Sequence, residues 1–317
     1  MSDSDLIQLI PGVFYIPGIT NVGVICDNTN FFTQVYLIDT GSNRTQAKSI
    51  LQKLDAHFSN LNKKYQIKAI INTHSHSDHC GGNTEIQKNT NCQIWLSPKE
   101  ASLAELPDIQ SKIIWGGNPP FEILNFFSAN DSVHADKVIT EQDSIDLTDG
   151  GQISFIYLPG HSFNDLGIIY TNAEGNKKVL FSGDSQFTPA ANGKHLIYFM
   201  MQPQDFVESL NKIKTIPNLS ICVPSHGSIV SEDIPGNIDF CIKSVGKTKN
   251  DILDSLKNGP LTTEQILKAV TEKNNIYANF ILLSIIKCTI ESFLGDLKNQ
   301  KLISLQITEN ELLWSLN

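Results

Sequence analysis

Seven residues of metal-binding type occur in an order that restricts what this chain can fold into. His74, His76, Asp78 and His79 lie inside one hexapeptide, HSHSDH, and His161, Asp184 and His226 follow later. The hexapeptide comes after Ile67-Lys68-Ala69-Ile70-Ile71-Asn72-Thr73, a β-branched apolar run that reads as a buried strand. Gly81 and Gly82 come next and permit a tight turn, and Asn83 to Lys88 reads as a helix start. The four residues are therefore expected on a loop at the carboxyl end of a strand, where open α/β sheets carry their sites. His74 and His76, two apart, can point one way while Asp78 and His79 face a second ion.

The later residues repeat that placement. Ile153 to Leu158 ends in Pro159-Gly160 and then His161. Val179-Leu180-Phe181 ends in Ser182-Gly183-Asp184, and Ile221-Cys222-Val223 ends in Pro224-Ser225-His226. A lone histidine is more often a satisfied or surface residue than a ligand. The series sets five of the eight histidines apart. His57, His134 and His195 stand outside it and read as ordinary residues.

Imidazole and carboxylate groups suit zinc, and iron or manganese also accept them. Three protein ligands per ion leave a position for water, the mark of a catalytic site. A carboxylate shared by two ions would hold them ~3.5–4 Å apart, and water on such a pair loses its proton near pH ~7. The expectation is two Zn2+ per chain, with Fe or Mn as alternatives, making hydroxide that attacks a carbonyl carbon or phosphorus.

At these residues the chain resembles the metallo-β-lactamase superfamily: HSHSDH matches its HxHxDH signature, and PGHS, SGD and PSHG match its later motifs, over roughly residues 12 to 235. The resemblance implies an αββα sandwich with the metals at one edge of the sheets. It implies His74, His76 and His161 on the first metal, Asp78, His79 and His226 on the second, and Asp184 bridging. Asp78 would also orient the nucleophile or pass a proton. Zinc β-lactamases of the family commonly carry Cys where Asp184 stands, so β-lactam hydrolysis is disfavoured. Flavo-diiron relatives carry Glu where His76 stands, which disfavours oxygen reduction. Glyoxalase II holds glutathione with basic and tyrosine residues soon after the bridging Asp. Here Lys194 and His195 are the basic residues of that stretch, and the first tyrosine is Tyr198.

The chain has 317 residues, 18% charged and 40% hydrophobic, as in a soluble globular protein. No apolar run approaches the ~20 residues of a membrane helix, and the acidic start lacks the pattern of a secretory signal, so no membrane partner and a cytoplasmic location are expected. The six cysteines form no CxxC pair, which fits a reducing compartment. Cys80, next to His79, reads first as a small buried residue and second as a neighbour of the metals.

Residues 1–240 read as the catalytic domain. Within them, 100–137 is a long irregular segment rich in Trp, Phe, Pro and Gly. It reads equally as an apolar lid over the metals and as a dimer contact or packed surface excursion. Upstream, Val13 to Ile16, Val22 to Cys26 and Phe31 to Asp39 read as strands, and Asn43 to Phe58 as an amphipathic helix. Residues 241–317 form a second unit. A helix is expected over Asp251 to Asn258, and another follows Thr262 with Gln265 completing a capping box. A long helix is expected from Ile276 to Asn299, then strands over Leu302 to Ile307 and Leu312 to Leu316. This is a winged-helix-like pattern. Its nine Lys against eight Asp and Glu give a net +1, leaving −10 for the rest of a chain at −9. Nucleic-acid surfaces normally carry a basic patch, so packing or dimerisation is the better reading of this unit. The pairing of units nevertheless resembles the β-lactamase-like 2 group, which includes endoribonucleases.

The leading expectation is a dinuclear hydrolase of a small ester, thioester or lactone. The alternatives are a metal-dependent endoribonuclease with RNA as its partner, an iron-dependent thiol or persulfide oxygenase, and a metal-binding regulator. A homodimer is left open.

Overall fold

The computed structural model describes residues 6–28, 32–128, 131–189 and 196–317. The chain opens as an antiparallel meander of β1 (Ile7–Ile10), β2 (Val13–Ile16), β3 (Val22–Asn28) and β4 (Thr33–Ile38). Helix α1 (Arg44–Asn60) crosses to β5 (Tyr65–Ile71), parallel to β4. Asn43 starts that helix by accepting from the amides of Thr45 and Gln46, and Ala47, Ile50, Leu54 and Phe58 form its buried stripe. A one-turn helix, α2 (Ser77–Cys80), and α3 (Asn83–Thr90) lead to β6 (Gln93–Leu96). Helices α4 (Pro98–Ala104), α5 (Ile109–Trp115) and α6 (Phe121–Phe127) precede β7 (Lys137–Val138), the last strand of a seven-stranded sheet in the order β1 to β7.

The second half supplies β8 (Ser144–Asp146), β9 (Gln152–Tyr157), β10 (Leu166–Thr171), β11 (Lys178–Gly183), α7 (Pro203–Lys214) and β12 (Leu219–Pro224). Its five strands lie in the order β12-β11-β10-β9-β8. Apolar side chains on both faces explain the unbroken apolar runs. Ile70 joins the cluster under α1 and α3, and its neighbour Ile71 joins the cluster between the sheets with Phe155, Ile168 and Phe181. Leu180 faces the other way, toward Leu210 and Ile238. The result is the expected αββα sandwich.

The C-terminal part consists of α8 (Ile234–Ser255), a 3-10 turn (Leu256–Asn258), α9 (Thr263–Lys273), α10 (Phe280–Asn299) and the hairpin β13 (Ile303–Thr308) and β14 (Glu311–Leu316). The capping box of Thr262 and Gln265 is formed. Residue 240, where the sequence divides, lies within α8. One buried cluster continues from Leu180 and Leu210 through Ile238, Cys241 and Val245 to Val270, Ile290, Leu294 and Ile303.

Some expectations need correction. About half of the segment 100–137 is helical, and α5 and α6 bury Ile114, Ile123 and Phe127 against Phe199, Ile281 and Ile285. The helix expected over Asp251 to Asn258 is the last turn of the longer α8 plus the 3-10 turn, and α10 begins at Phe280, capped by the Asn279 side chain. The helix α7 and the strand β10 carry no strong motif in the sequence. Among the described residues no helix is long and apolar enough to cross a membrane.

Candidate metal centre

HSHSDH begins in a loop after β5, but Ser77 to Cys80 form the helical turn α2, so Asp78 and His79 sit on a helix with His76 at its N-cap. Gly81 and Gly82 act by close approach, with backbone in the right-handed helical region. A Cβ on Gly81 would lie 2.2 Å from Ser42 O, and one on Gly82 would lie 2.5 Å from Thr40 O. Their absence of side chains lets α2 lie against the end of β4. Gly183 combines φ 57° with a Cβ direction blocked by Thr73 at 2.8 Å, and this brings Asp184 toward the hexapeptide.

All seven candidate residues converge. His76 Nδ1 lies 3.0 Å from His74 Nε2 and 2.9 Å from His161 Nε2. Asp78 Oδ2 is 3.5 Å from His79 Nε2 and 3.1 Å from His226 Nε2. Asp184 sits between the groups: Oδ2 is 3.3 Å from both His161 Nε2 and His226 Nε2, and Oδ1 is 3.5 Å from His79 Nε2. Among the described residues, three sets have ligand atoms mutually within 4.8 Å: His74–His76–His161, His74–His79–Asp184 and Asp78–His79–His226. Ligands held tetrahedrally at ~2.0–2.1 Å from an ion are about 3.3 Å apart, close to these spacings.

Electrostatics favour a cation here. His79 Nε2 and Asp184 Oδ1 are buried and lack hydrogen-bond partners, which is costly unless something charged joins them. Burial and the neighbouring histidines hold the imidazole of His74 well below its usual range. Burial and His161 bring His76 down to about 3, and burial lowers His161. These three offer lone pairs. Asp184 pushes His226 up to about 11. His79 is raised because Asp78, Asp184 and Asp39 outweigh its burial. Without a metal, protons on His79 and His226 balance the carboxylates.

A second layer, absent from the sequence reading, orients these groups. Asp39 Oδ2 lies 2.9 Å from His79 Nδ1 and accepts from Thr73 Oγ1 at 2.8 Å, while Oδ1 accepts from Thr73 N. Its place at the end of an apolar strand was a readable signal, shared with the ligands themselves. Glu100, fully buried, accepts from Ser75 N and Oγ at 2.9 and 2.6 Å, and from Ser162 Oγ and Asn164 N at 2.8 and 3.0 Å. It thereby joins the two loops that supply His74, His76 and His161. His161 Nδ1 contacts Phe199 O at 3.0 Å and His226 Nδ1 contacts Ile19 O at 2.6 Å. Donation to these carbonyls leaves each Nε2 as the ligand atom.

Cys80 is buried, its thiol donating to Ser75 O at 3.2 Å, and burial pushes it up to about 12. His57 packs on Phe14 and Phe58, and His134 pairs with Glu105 on the surface. Lys194 and His195 lie outside the described residues. Two open lobes flank the ligands. One runs past Asp78 and Asp184 to Ile114, Phe126, Phe127 and Ile285, and the other past His226 to Phe187, Leu196 and Tyr198. No lysine or arginine lines either lobe among the described residues.

The profile of the metallo-beta-lactamase superfamily matches residues 15–226. Hydroxyacylglutathione hydrolase GloC of Haemophilus influenzae is 28% identical over 153 residues, 48% of this chain. The chain spans only 60% of that relative's length. The hydroxyacylglutathione hydrolase of Idiomarina loihiensis is 26% identical over 228 residues, 72% of this chain and 67% of its own. The crystal structure of a beta-lactamase domain protein from Burkholderia ambifaria covers 100% of this chain and 96% of its own, with a TM-score of 0.73 at 14% identity. At that identity the likeness is one of fold.

Proposed function

This chain belongs to the metallo-beta-lactamase superfamily, and from that premise we propose a dinuclear metallo-hydrolase that cleaves an acyl carbonyl, with thioesters as the first substrate class. Zinc is the proposed metal. His74, His76 and His161 would hold one ion and Asp78, His79 and His226 the other, with Asp184 shared. The observation that carries this reading is the buried, partnerless pair His79 Nε2 and Asp184 Oδ1 between two sets of converging ligand atoms. The relatives named for hydroxyacylglutathione hydrolysis support the thioester.

When bound, the ions supply Lewis acidity toward the acyl oxygen and a water whose proton is lost near neutrality. The chain's own groups do the rest. Asp78, about one-third exposed toward the cleft, orients the attacking water and relays its proton. The water oxygen bonds to the acyl carbon, the C–S bond breaks, and the thiolate leaves and takes up the proton. Asp39 and the Phe199 carbonyl keep His79 and His161 in register. Phe126, Phe127 and Phe199 line the cleft where the acyl group would lie.

We read the C-terminal unit as winged-helix-like, from its helices α8 to α10 followed by the β13–β14 hairpin. Its net charge of +1 and its packing into the catalytic core favour a structural role over nucleic-acid binding. The test is turnover of thioester, ester and lactone panels by protein carrying two zinc per chain. Hydrolysis lost in His76→Ala is expected. Two bound ions with no turnover on any panel would overturn the reading. Cleavage of single-stranded RNA, lost in Asp78→Ala, would favour the nuclease instead, and one iron per chain would favour the oxygenase.

A further inference from the structure

Helix α10 presents one stripe to the catalytic unit. Ile281, Ile285 and Thr289 recur every fourth residue and so share a face. Ile281 and Ile285 pack on the cluster of Ile114, Ile123 and Phe127 from α5 and α6, against which Phe199 also packs. Thr289, fully buried, accepts from Met200 N at 3.3 Å and donates to Tyr198 O at 3.4 Å. One turn before the end of the helix, Asp296 Oδ2 accepts from Gln204 N at 3.2 Å, at the start of α7. The helix therefore runs along the strap that carries the Phe199 carbonyl, the partner of His161.

Ile285 differs from a docking residue in one respect. It is only partly buried, and its open side lines the same cleft as Asp78, His161 and Asp184. Ile114, Phe126, Phe127 and Ile19 line the same cleft. An apolar wall beside a reacting carbonyl favours substrates that cover it, and each methylene so buried is worth about a fourfold gain.

We propose that α10 is a wall of the substrate cleft, and that Ile285 selects acyl groups carrying an apolar chain of several carbons. This rests on the carbonyl-hydrolase reading above. The C-terminal unit thereby gains a role in specificity that needs no nucleic acid.

The experiment uses the metal-loaded full chain and S-acyl thioesters of N-acetylcysteamine from acetyl to octanoyl. The readout is the ratio of kcat/KM for hexanoyl to that for acetyl. The wild-type ratio should exceed tenfold. Ile285→Ala should lower it by about three- to tenfold, and Ile285→Trp, which shortens the cleft, should bring it close to one. Calorimetric binding of the matching ketone analogues, in which a methylene separates sulfur from carbonyl, should show the same dependence on chain length and on Ile285. A ratio identical in all three proteins, with acetyl thioester turned over, overturns the wall and leaves the thioester reading standing. Binding of the analogues without turnover of any thioester would instead overturn the thioester reading, and the Ile285 dependence of that binding would still support the wall.

Discussion

His79 Nε2 and Asp184 Oδ1 face each other at 3.5 Å, both buried and neither hydrogen-bonded. A buried carboxylate and imidazole in this arrangement are stable only with a positive charge between them, either a proton or a metal ion. Metal binding must then displace protons. His79 and His226 are raised above the ordinary histidine range, His226 to about 11, so both are protonated in metal-free protein at neutral pH. Adding zinc at pH ~7 should release about two protons per chain, seen as a buffer-dependent heat in calorimetry. Metal affinity should rise with pH as those protons become easier to remove. Release of no protons would contradict the arrangement.

Asp39 should control metal affinity without touching the metal. Asp39→Asn keeps the size of the side chain but removes the negative charge beside His79 Nδ1, so His79 becomes a weaker ligand. A loss of about 10–100-fold in metal affinity is expected, measured by competition with a chelator. The Co(II)-substituted protein should also change its visible absorption. An unchanged affinity would reduce Asp39 to a packing residue.

Glu100 should matter for stability more than for chemistry. Glu100→Gln replaces a buried acceptor of four hydrogen bonds with an amide whose NH2 end meets two donors. Destabilisation on the order of 2–4 kcal/mol is expected from denaturant midpoints. Glu100→Ala should be worse still, because it leaves those donors unpaired.

Asp251 makes the C-terminal unit acid-sensitive. Burial alone would raise its carboxyl, but bonds from Lys247, Lys273 and Asn274 at 2.6, 2.7 and 2.8 Å outweigh burial and lower it. A carboxyl lowered in the folded state contributes stability fully above its unfolded value of about 3.9 and loses it as pH falls through the folded value. Asp251→Asn should therefore cost about 1–2 kcal/mol at neutral pH. The gap from wild type should shrink below pH ~4. A constant gap down to strong acid would show that the contribution is not ionic.

The seven candidate ligands were legible because their motifs are local, and the resemblance those motifs carry implied the sandwich. Strands buried on two faces leave unbroken apolar runs, and His161, Asp184 and His226 each stand just past the end of one, while the hexapeptide follows β5 and runs into α2. The helix after Thr262 was equally legible, since a capping box is complete within four residues. Contacts between distant segments could not be read in this way. Glu100 looks like an ordinary surface acid at the start of a helix, and only the fold brings Ser75 and Ser162 to it. Asp165 has no motif of its own, and burial together with Glu100 raises its carboxyl 3.8 Å from His74. The aromatic segment after residue 100 showed composition but no period, because its helices are each about two turns long, and α5 and α6 take their order from packing on α10. Tertiary structure alone decided that α10 brings Ile285 to the cleft of the candidate ligands: its stripe of Ile281, Ile285 and Thr289 is apolar enough to bury anywhere, and where it lies depends on what the rest of the chain presents to it.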